Sequence, residues 1–417
     1  MPHTILNGVS ISYQLLWNQL RQLGGVHLSL GTDDLHPVDA PHLLTALHAL
    51  WSEQAPKLVL STPSNQLLSD LLAQPPVGSP WVLVQAAQLS DPAMTRRVQQ
   101  AYQRGLKLVW RGEPGSRPSA TLAPCFTHTL ITLTAQEALA GLRVSLHRHN
   151  GVDTHLKNPI SSPVLAGQIY ESLPSRALAE HCLDEQGAWG LAGWPAEDVL
   201  HGYRHRRIQP GHSAVVALIE ALDADESVEH IEQLISEEPI LLYRFFRYVN
   251  SAGLGLRTEI ESIRQGLLVL GFSLIRTWLL EQLPHASSDL NLQPVRTAMV
   301  LRARLMAQLV DAGDSDELRR EVAMCGLFSQ IDLMLAEPMS TALARVQLPE
   351  RITAAIVGHT GPYLPYLEIA AALESATHQA IRTVCETHQL SSESVNRALL
   401  RTLSQIRQHA VKGLLLV

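Results

Sequence analysis

The pattern of apolar residues changes once along this chain, at about Pro210. Before that point, short runs typical of buried strands alternate with helix-like stretches, as in Lys57–Ser61 followed by Gln66–Leu72. Such alternation favours a parallel sheet wrapped by helices, either closed into a barrel or left open. After it, apolar residues recur only at helical spacing, for example along Val228–Ile235. The sequence therefore predicts an α/β domain followed by an all-α domain.

The length of the chain also predicts more than one domain. At 417 residues it exceeds the roughly 250 to 300 at which a single hydrophobic core stops growing. We place the α/β domain at 1–200, a linker at 201–211 and the helical domain at 212–417, which includes a C-terminal helix. The linker carries the basic run Arg204–Arg207 ahead of Pro210. It is interpreted either as a solvated connector or as a site for an anionic ligand or partner.

Charge and apolar runs narrow the classes of partner. The net charge of -7 argues against nucleic acid, because neutralising phosphates requires a dense cationic surface. No apolar run approaches the roughly 20 residues that span a bilayer, and the start of the chain lacks the basic and apolar regions of a signal peptide. We therefore expect a soluble, cytoplasmic protein without a membrane partner, whose four cysteines stay reduced.

The segment Ile235–Ala252 and the residues after it resemble the opening of an HDOD domain. In that family a helix ends in Val-Asn-Ser-Ala, which here contains Asn250 and Ser251. An Ile-x-Ser-Ile element follows with Ser262, and then a helix containing Leu-Gly, here with Gly271. We expect Ser251 to help close the first helix, Ser262 to cap the next one, and Gly271 to allow a close helix contact. Asn250 either shapes the helix end or contacts a ligand.

A second stretch of the helical half bears on catalysis. The catalytic relatives of this fold, the HD hydrolases, hold a divalent metal with a His-Asp pair. The corresponding stretch, Cys325–Leu335, places Ser329 and Gln330 at the positions of that pair. A hydroxyl and an amide offer neither imidazole nor carboxylate to the metal. The resemblance therefore implies a degenerate HD position without metal, and its Gly-Leu-Phe-Ser-x-x-Asp pattern resembles the HDOD branch found behind EAL domains.

The first domain resembles an EAL domain in the order of its short motifs. EAL domains are modified (β/α) barrels, and their active members hydrolyse cyclic di-GMP with two metal ions. The whole chain is thus similar to the EAL-HDOD signalling proteins, the YuxH-like family, with a degenerate EAL-type (β/α) barrel followed by an all-α HDOD helical domain. The degenerate positions are Gln14 and Gln85 in place of glutamates, Arg111 and Gly112 in place of paired aspartates, Ala192 in place of a glutamine, and Glu171, the one acid that persists.

Charge decides what these replacements mean. Two divalent ions about 3.5 to 4 Å apart are held together only by several carboxylates, which also orient the attacking water. We therefore expect no hydrolysis, no catalytic residue, no metal and no cofactor. The resemblance implies a non-enzymatic regulator or scaffold near cyclic di-GMP pathways, acting through protein partners, with a homodimer formed by paired barrels. The alternative is a receptor that binds cyclic di-GMP without cleaving it, with Arg111 or Arg143 meeting a phosphate.

Histidines and the C-terminal tail leave two further questions open. The pairs His147 with His149 and His201 with His205 lack a cluster of carboxylates or cysteines, so we interpret them as solvated or packed side chains. The final helix, from about Ser392 to 412, has one apolar side. It either packs on its own domain or forms a partner-binding tail.

Overall fold

The protein forms two compact units. The computed structural model describes residues 5–32, 38–52, 54–76, 78–149, 161–256, 259–310, 313–375 and 377–406, without the side chains of 147–149. One unit comprises Met1–Asp198 together with Ala372–Val417, and the other comprises Val199–Ala371.

Eight strands in the described part of the first unit close into a barrel in chain order. β1 runs antiparallel to both of its neighbours, β2 and β8, whereas the other neighbouring strands are parallel. The predicted barrel is confirmed. The strands are β1 (Val9–Trp17), β2 (Leu23–Thr32), β3 (Lys57–Ser61), β4 (Trp81–Gln85), β5 (Leu108–Arg111), β6 (His128–Thr132), β7 (Ile169–Glu171) and β8 (Gly190–Ala192).

Helices follow the parallel strands, as the alternation predicted. Several begin where a short polar side chain accepts a hydrogen bond from the first turn, as Asp39, Ser64 and Asp91 do. The helices of this part are α1 (Ala40–Leu50), α2 (Asn65–Ala73), α3 (Pro92–Gln103), α4 (Ala135–His149), α5 (Arg176–Glu180) and α6 (Ala196–His201).

Side chains fill the barrel interior in layers. At the amino ends of the parallel strands, the ring of His128 stacks on Trp81 at 4.8 Å and lies 5.3 Å from Trp189. An apolar layer packs with these aromatic rings and excludes water from the middle of the barrel. The layer consists of Leu16, Val59, Leu83, Val109, Leu130, Ile169 and Ala192.

The second unit is all helical, as predicted. Its core contains Tyr243, Phe246 and Phe328, whose rings meet edge to face. The helices are α7 (His212–Asp223), α8 (Val228–Ser236), α9 (Pro239–Val249), α10 (Ile263–Gln282), α11 (Gln293–Leu309), α12 (Asp316–Phe328), α13 (Ile331–Leu335), α14 (Met339–Leu343), α15 (Glu350–Ile356) and α16 (Leu364–Glu374), the last of which crosses the boundary at Ala371.

The motif residues around α9 and α10 have local structural roles. Asn250 ends α9, and its side chain exchanges hydrogen bonds with the backbone of Ile260 at 2.8 and 2.9 Å. Ser251 starts a short 3-10 turn, and Ser262 caps α10 by accepting from Gln265 N. The expectation that Gly271 allows a close helix contact is wrong. A Cβ there would meet nothing within 4 Å, and the residue instead breaks α10 with φ +74°.

The C-terminal helices differ from the expected boundary. Residues from Ala372 onward belong to the barrel unit, so the predicted helical domain 212–417 must be shortened at its end. The helices α17 (His378–His388) and α18 (Ser392–Ser404) both contact β1. Asn396, which is 1% exposed, donates to the carbonyls of Leu6 and Val9 at 2.8 Å each. The apolar side of α18 identified a buried face, but periodicity could not say against which unit; the tail beyond 406 lies outside the described residues.

One helical stretch among the described residues, Ile263–His285, is long and apolar enough to cross a membrane. The expectation that no stretch approaches this length is therefore wrong by length and composition alone. A single stretch of this kind is weak evidence for a span, because core helices of soluble proteins meet the same criteria. Gly271 also interrupts the helix, so its backbone hydrogen bonding is not continuous over the length that would cross a membrane.

The docking of α18 predicts the effect of replacing Asn396. An Asn396→Ala change leaves two buried carbonyls without their donor, and we expect the barrel unit to lose about 1 to 3 kcal/mol of unfolding free energy. Tryptophan fluorescence in urea reports this unit, because Trp278 alone of the seven tryptophans lies in the other one. The control is the exposed Ser394→Ala on the same helix. An unchanged fluorescence transition in Asn396→Ala would contradict the docking.

Candidate functional site

The carboxyl ends of the parallel strands gather the positions singled out in the sequence. In barrels of parallel strands this end carries the functional groups. Gln85 is in register with Arg111, while Thr132, Glu171 and Ala192 are in register on the three following strands. The last residues of β3 to β8 are, in order, Ser61, Gln85, Arg111, Thr132, Glu171 and Ala192.

An ion pair occupies the centre of this barrel mouth. Arg111 Nε donates to Glu171 Oε1 at 2.9 Å, and Arg111 NH2 lies 2.9 Å from Glu171 Oε2. Thr132 Oγ1 donates to the same carboxylate at 2.7 Å. The Glu171 side chain is 4% exposed and that of Arg111 is 40% exposed. The Glu171 carboxylate is thus already neutralised by a bidentate guanidinium.

Two neutral polar residues from β2 and β3 flank the pair. His27 Nε2 hydrogen-bonds Ser61 Oγ at 2.8 Å, and His27 is in register with Gln14 on β1. Burial, helped by the positive charge of Arg111, lowers the pKa of His27 to about 4. The imidazole is therefore neutral at pH 7 and adds no charge to the mouth.

The other degenerate positions are built into the scaffold. A Cβ added at Gly112 would collide with the Trp110 ring and lie 2.6 Å from Ser116 Oγ, so no aspartate fits there without rearrangement. Ala192 lies in the apolar layer and is 3% exposed. The backbone N–H of Gln85 donates to Gln88 Oε1 at 3.0 Å, which fixes the turn after β4.

The donor set of the mouth does not fit two divalent cations. Glu171 is the only carboxylate in the register described above, and its oxygens already accept from Arg111 and Thr132. Among the described residues, no group of three or more His, Cys, Asp and Glu side chains is arranged to hold a metal ion. What remains is a polar mouth with one ion pair, suited to hydrogen bonding and to electrostatic recognition.

The HD position of the helical unit has the same character. Ser329 ends α12 and Gln330 precedes α13. Arg302, 8% exposed on α11, donates to Ser329 Oγ at 3.2 Å. With its amide oxygen turned toward that guanidinium, Gln330 accepts from Arg302 at 2.9 and 3.2 Å. A fixed cation thus stands beside the positions where the His-Asp pair would hold a metal.

The barrel mouth contains residues that the sequence did not single out, and some residues that the sequence did single out lie outside the mouth. Sequence reasoning missed His27, Ser61 and Thr132, although each lies on a strand and the last two end one. Arg143 is exposed on α4. The side chains of His147 and His149 lie outside the described residues.

Comparison with known proteins identifies the helical part. Residues 210–351 match the HDOD domain, so the predicted HDOD domain is confirmed. The chain is 25% identical over 156 residues to YuxH, an uncharacterized protein of Bacillus subtilis strain 168, covering 36% of this chain and 37% of that protein. It is 21% identical over 198 residues to the cyclic di-GMP phosphodiesterase CdgJ of Vibrio cholerae serotype O1, covering 47% of this chain and 46% of that protein.

These matches span less than half of either relative. Among solved structures, the MmoQ response regulator of Methylococcus capsulatus strain Bath is similar, with 15% identity and a TM-score of 0.38 over 46% of this chain and 98% of that one. At this TM-score the likeness is distant. The relatives support the EAL-HDOD resemblance, and the EAL character of the first unit is inferred from its barrel.

The ion pair predicts a measurable coupling. Arg111→Met leaves the buried Glu171 carboxylate without its cation, and we expect a loss of about 2 kcal/mol of unfolding free energy, less than for a fully buried pair because Arg111 is partly exposed. The double variant Arg111→Met/Glu171→Gln should recover more than half of that loss. Urea denaturation of the two single variants and the double variant measures it.

The control is a pair whose arginine is equally exposed but whose acid is not buried. Arg397 and Glu393 are 40% and 30% exposed and lie 2.7 Å apart, so Arg397→Met should cost less than about 0.5 kcal/mol. Equal losses for Arg111→Met and Arg397→Met would show that Glu171 is not held by Arg111.

Proposed function

From the HDOD domain that this chain carries behind a closed barrel, we infer that it is a non-enzymatic signalling regulator or scaffold of cyclic di-GMP pathways. It acts by binding protein partners. The observation that carries this inference is the Arg111–Glu171 ion pair, formed by residues at positions where the EAL resemblance implies metal-binding carboxylates. A relative named as a cyclic di-GMP phosphodiesterase supports the pathway.

Loss of chemistry in both units favours a role in binding. Arg111 in the barrel mouth and Arg302 at the HD position each place a positive charge where a catalytic relative would place a cation. Like charges repel, so either guanidinium opposes metal binding even where a donor remains. We propose further that the protein is cytoplasmic, needs no cofactor and forms a homodimer through its barrel.

A non-catalytic receptor for cyclic di-GMP is the second candidate. Arg111 favours it, because 40% of its side chain is exposed and a guanidinium matches a phosphate in two hydrogen bonds. The same guanidinium is already paired with Glu171, so a phosphate would have to compete with a carboxylate at 2.9 Å. This competition makes the scaffold the better supported function.

Incubation with cyclic di-GMP and Mg²⁺ or Mn²⁺ tests the proposal. We expect no linear product from the full chain, because the mouth offers a single carboxylate that is already paired. An active EAL phosphodiesterase in the same assay shows that the conditions permit turnover. Hydrolysis by the wild-type chain that disappears in Glu171→Gln would overturn the proposal.

Calorimetry with cyclic di-GMP separates the two candidates. The scaffold function predicts no saturable heat from the barrel. Saturable binding at micromolar concentration that Arg111→Met weakens about tenfold would establish the receptor instead, since one lost charge-assisted contact to phosphate costs about 1.4 kcal/mol or more.

A further inference from the structure

The helical unit has a cavity of about 620 Å³ that is open to solvent. Pockets for small molecules and cofactors commonly measure about 300 to 1,000 Å³. Its lining comes from the segment before α7, from α9 and α10, and from the region of α13 and α14, all within Val199–Ala371. We name it the Arg247 cavity.

Arginine side chains dominate the charge of the Arg247 cavity. Arg207, Arg244, Arg247 and Arg345 line it, and Glu337 is the one acid among its lining residues. Glu337 already pairs with Arg345 at 2.8 Å. Neither Arg207 nor Arg247 has an acidic partner among the described residues. The lining therefore carries three positive charges in excess when His285 is neutral.

Arg244 is held in place rather than left mobile. Its NH1 donates to Gln282 Oε1 at 2.9 Å and its NH2 donates to Gln209 Oε1 at 2.6 Å. Burial lowers the pKa of Arg244, and the charges of Arg207 and Arg247 lower it further against the opposing effect of Glu238. The charges of Arg207 and Arg247, which line the same cavity, therefore both act on Arg244, and a bound anion would offset their repulsion.

The segment that carries Arg207 is also fixed. Arg296 NH2 donates to the carbonyl of Gln209 at 2.8 Å, and Ser287 N donates to the carbonyl of Pro210 at 2.7 Å. Ile208 is 5% exposed. The predicted linker is therefore not a solvated connector over Ile208, Gln209 and Pro210. It is built into the helical unit, and its last arginine is positioned at the cavity.

Another part of the lining is aromatic and apolar. The rings of Tyr248 and Trp278 stack at 5.3 Å with an interplanar angle of 14°. Ile240 and Met334 add apolar surface to the lining. A ligand with several negative charges and a flat ring system matches both parts of the lining.

We propose that the Arg247 cavity binds a nucleotide, whose phosphates meet Arg207, Arg244 and Arg247 and whose base packs on the partly exposed ring of Tyr248, which stacks on the buried Trp278. The planar fork of a guanidinium matches phosphate oxygens in two hydrogen bonds, which explains the choice of arginine. This site is separate from the ion pair of the barrel and goes beyond the proposed function.

Calorimetry on the full chain in about 50 mM salt tests the proposal, because phosphate contacts weaken steeply as salt rises. The probes are GMP, GDP, ATP, a cyclic dinucleotide, guanosine and inorganic pyrophosphate. We expect saturable binding of at least one nucleotide, with both guanosine and pyrophosphate at least about tenfold weaker, because each offers half of the required contacts. Arg247→Gln should weaken the nucleotide about tenfold or more.

Two variants control for indirect effects. Arg264→Gln removes an arginine of the same unit that pairs with Glu229 and does not line the cavity, and it should leave binding unchanged. Arg111→Met should also leave it unchanged, which separates this site from a receptor in the barrel. Arg247 is exposed, so we expect Arg247→Gln to remain folded, and thermal melting checks this.

Three results would overturn the proposal. They are no saturable binding by any nucleotide of the panel, pyrophosphate binding as tightly as the best nucleotide, and equal affinity in the wild-type chain and Arg247→Gln. The second result would identify a general anion site, and the third would place the nucleotide elsewhere.

Discussion

The paired charges of Arg111 and Glu171 set the chemistry of the barrel mouth. Burying a carboxylate that is 4% exposed is costly unless a positive charge and hydrogen bonds compensate it. Here the last residue of β5 supplies that charge as a guanidinium, and Thr132 donates a further hydrogen bond. In the helical unit a guanidinium also stands at the position singled out for a metal, but there Arg302 bonds to the neutral side chains of Ser329 and Gln330. In both units an arginine is thus fixed by hydrogen bonds to the residues at these positions.

The rest of the barrel supports that arrangement. The rings of Trp81 and His128 pack at the amino ends of the parallel strands, and an apolar layer fills the middle of the barrel. This layer separates the ion pair at the carboxyl ends from the amino ends of the strands. β1 lies against β2 and β8, and the C-terminal helices pack against β1, with Asn396 bonded to the backbone at the start of that strand. The two ends of the described chain thus stabilise one unit, and the HDOD domain is an insertion between them.

Sequence reasoning found the features that depend on local pattern. Strands such as β4 and β5 are short apolar runs bounded by polar or turn residues, and their last residues, Gln85 and Arg111, were positions that the EAL resemblance singled out. β2 escaped notice because glycines, His27 and Ser29 interrupt its apolar residues. Ser61 and Thr132 were missed because a single hydroxyl at the end of an apolar run carries no signal of its own in the sequence.

Features that depend on tertiary structure could not be read from the sequence. Periodicity marked the buried side of α18 without naming its partner, and the Leu-Gly element suggested a helix contact at Gly271 where the structure has a break. The run that ends in Arg207 gave the alternative of an anion site, but only the fold brings Arg244 and Arg247 beside it.

Binding of Mn²⁺ measures the central claim most directly. Electron paramagnetic resonance detects free Mn²⁺, so a titration of the full chain counts the ions that it removes from solution. A mouth neutralised by its own ion pair should remove none at micromolar concentration, in the wild-type chain and in Glu171→Gln alike. The account would be contradicted if the wild type bound two ions per chain and Glu171→Gln lost them. Carboxylates would then hold cations at a mouth whose acid Arg111 should already neutralise.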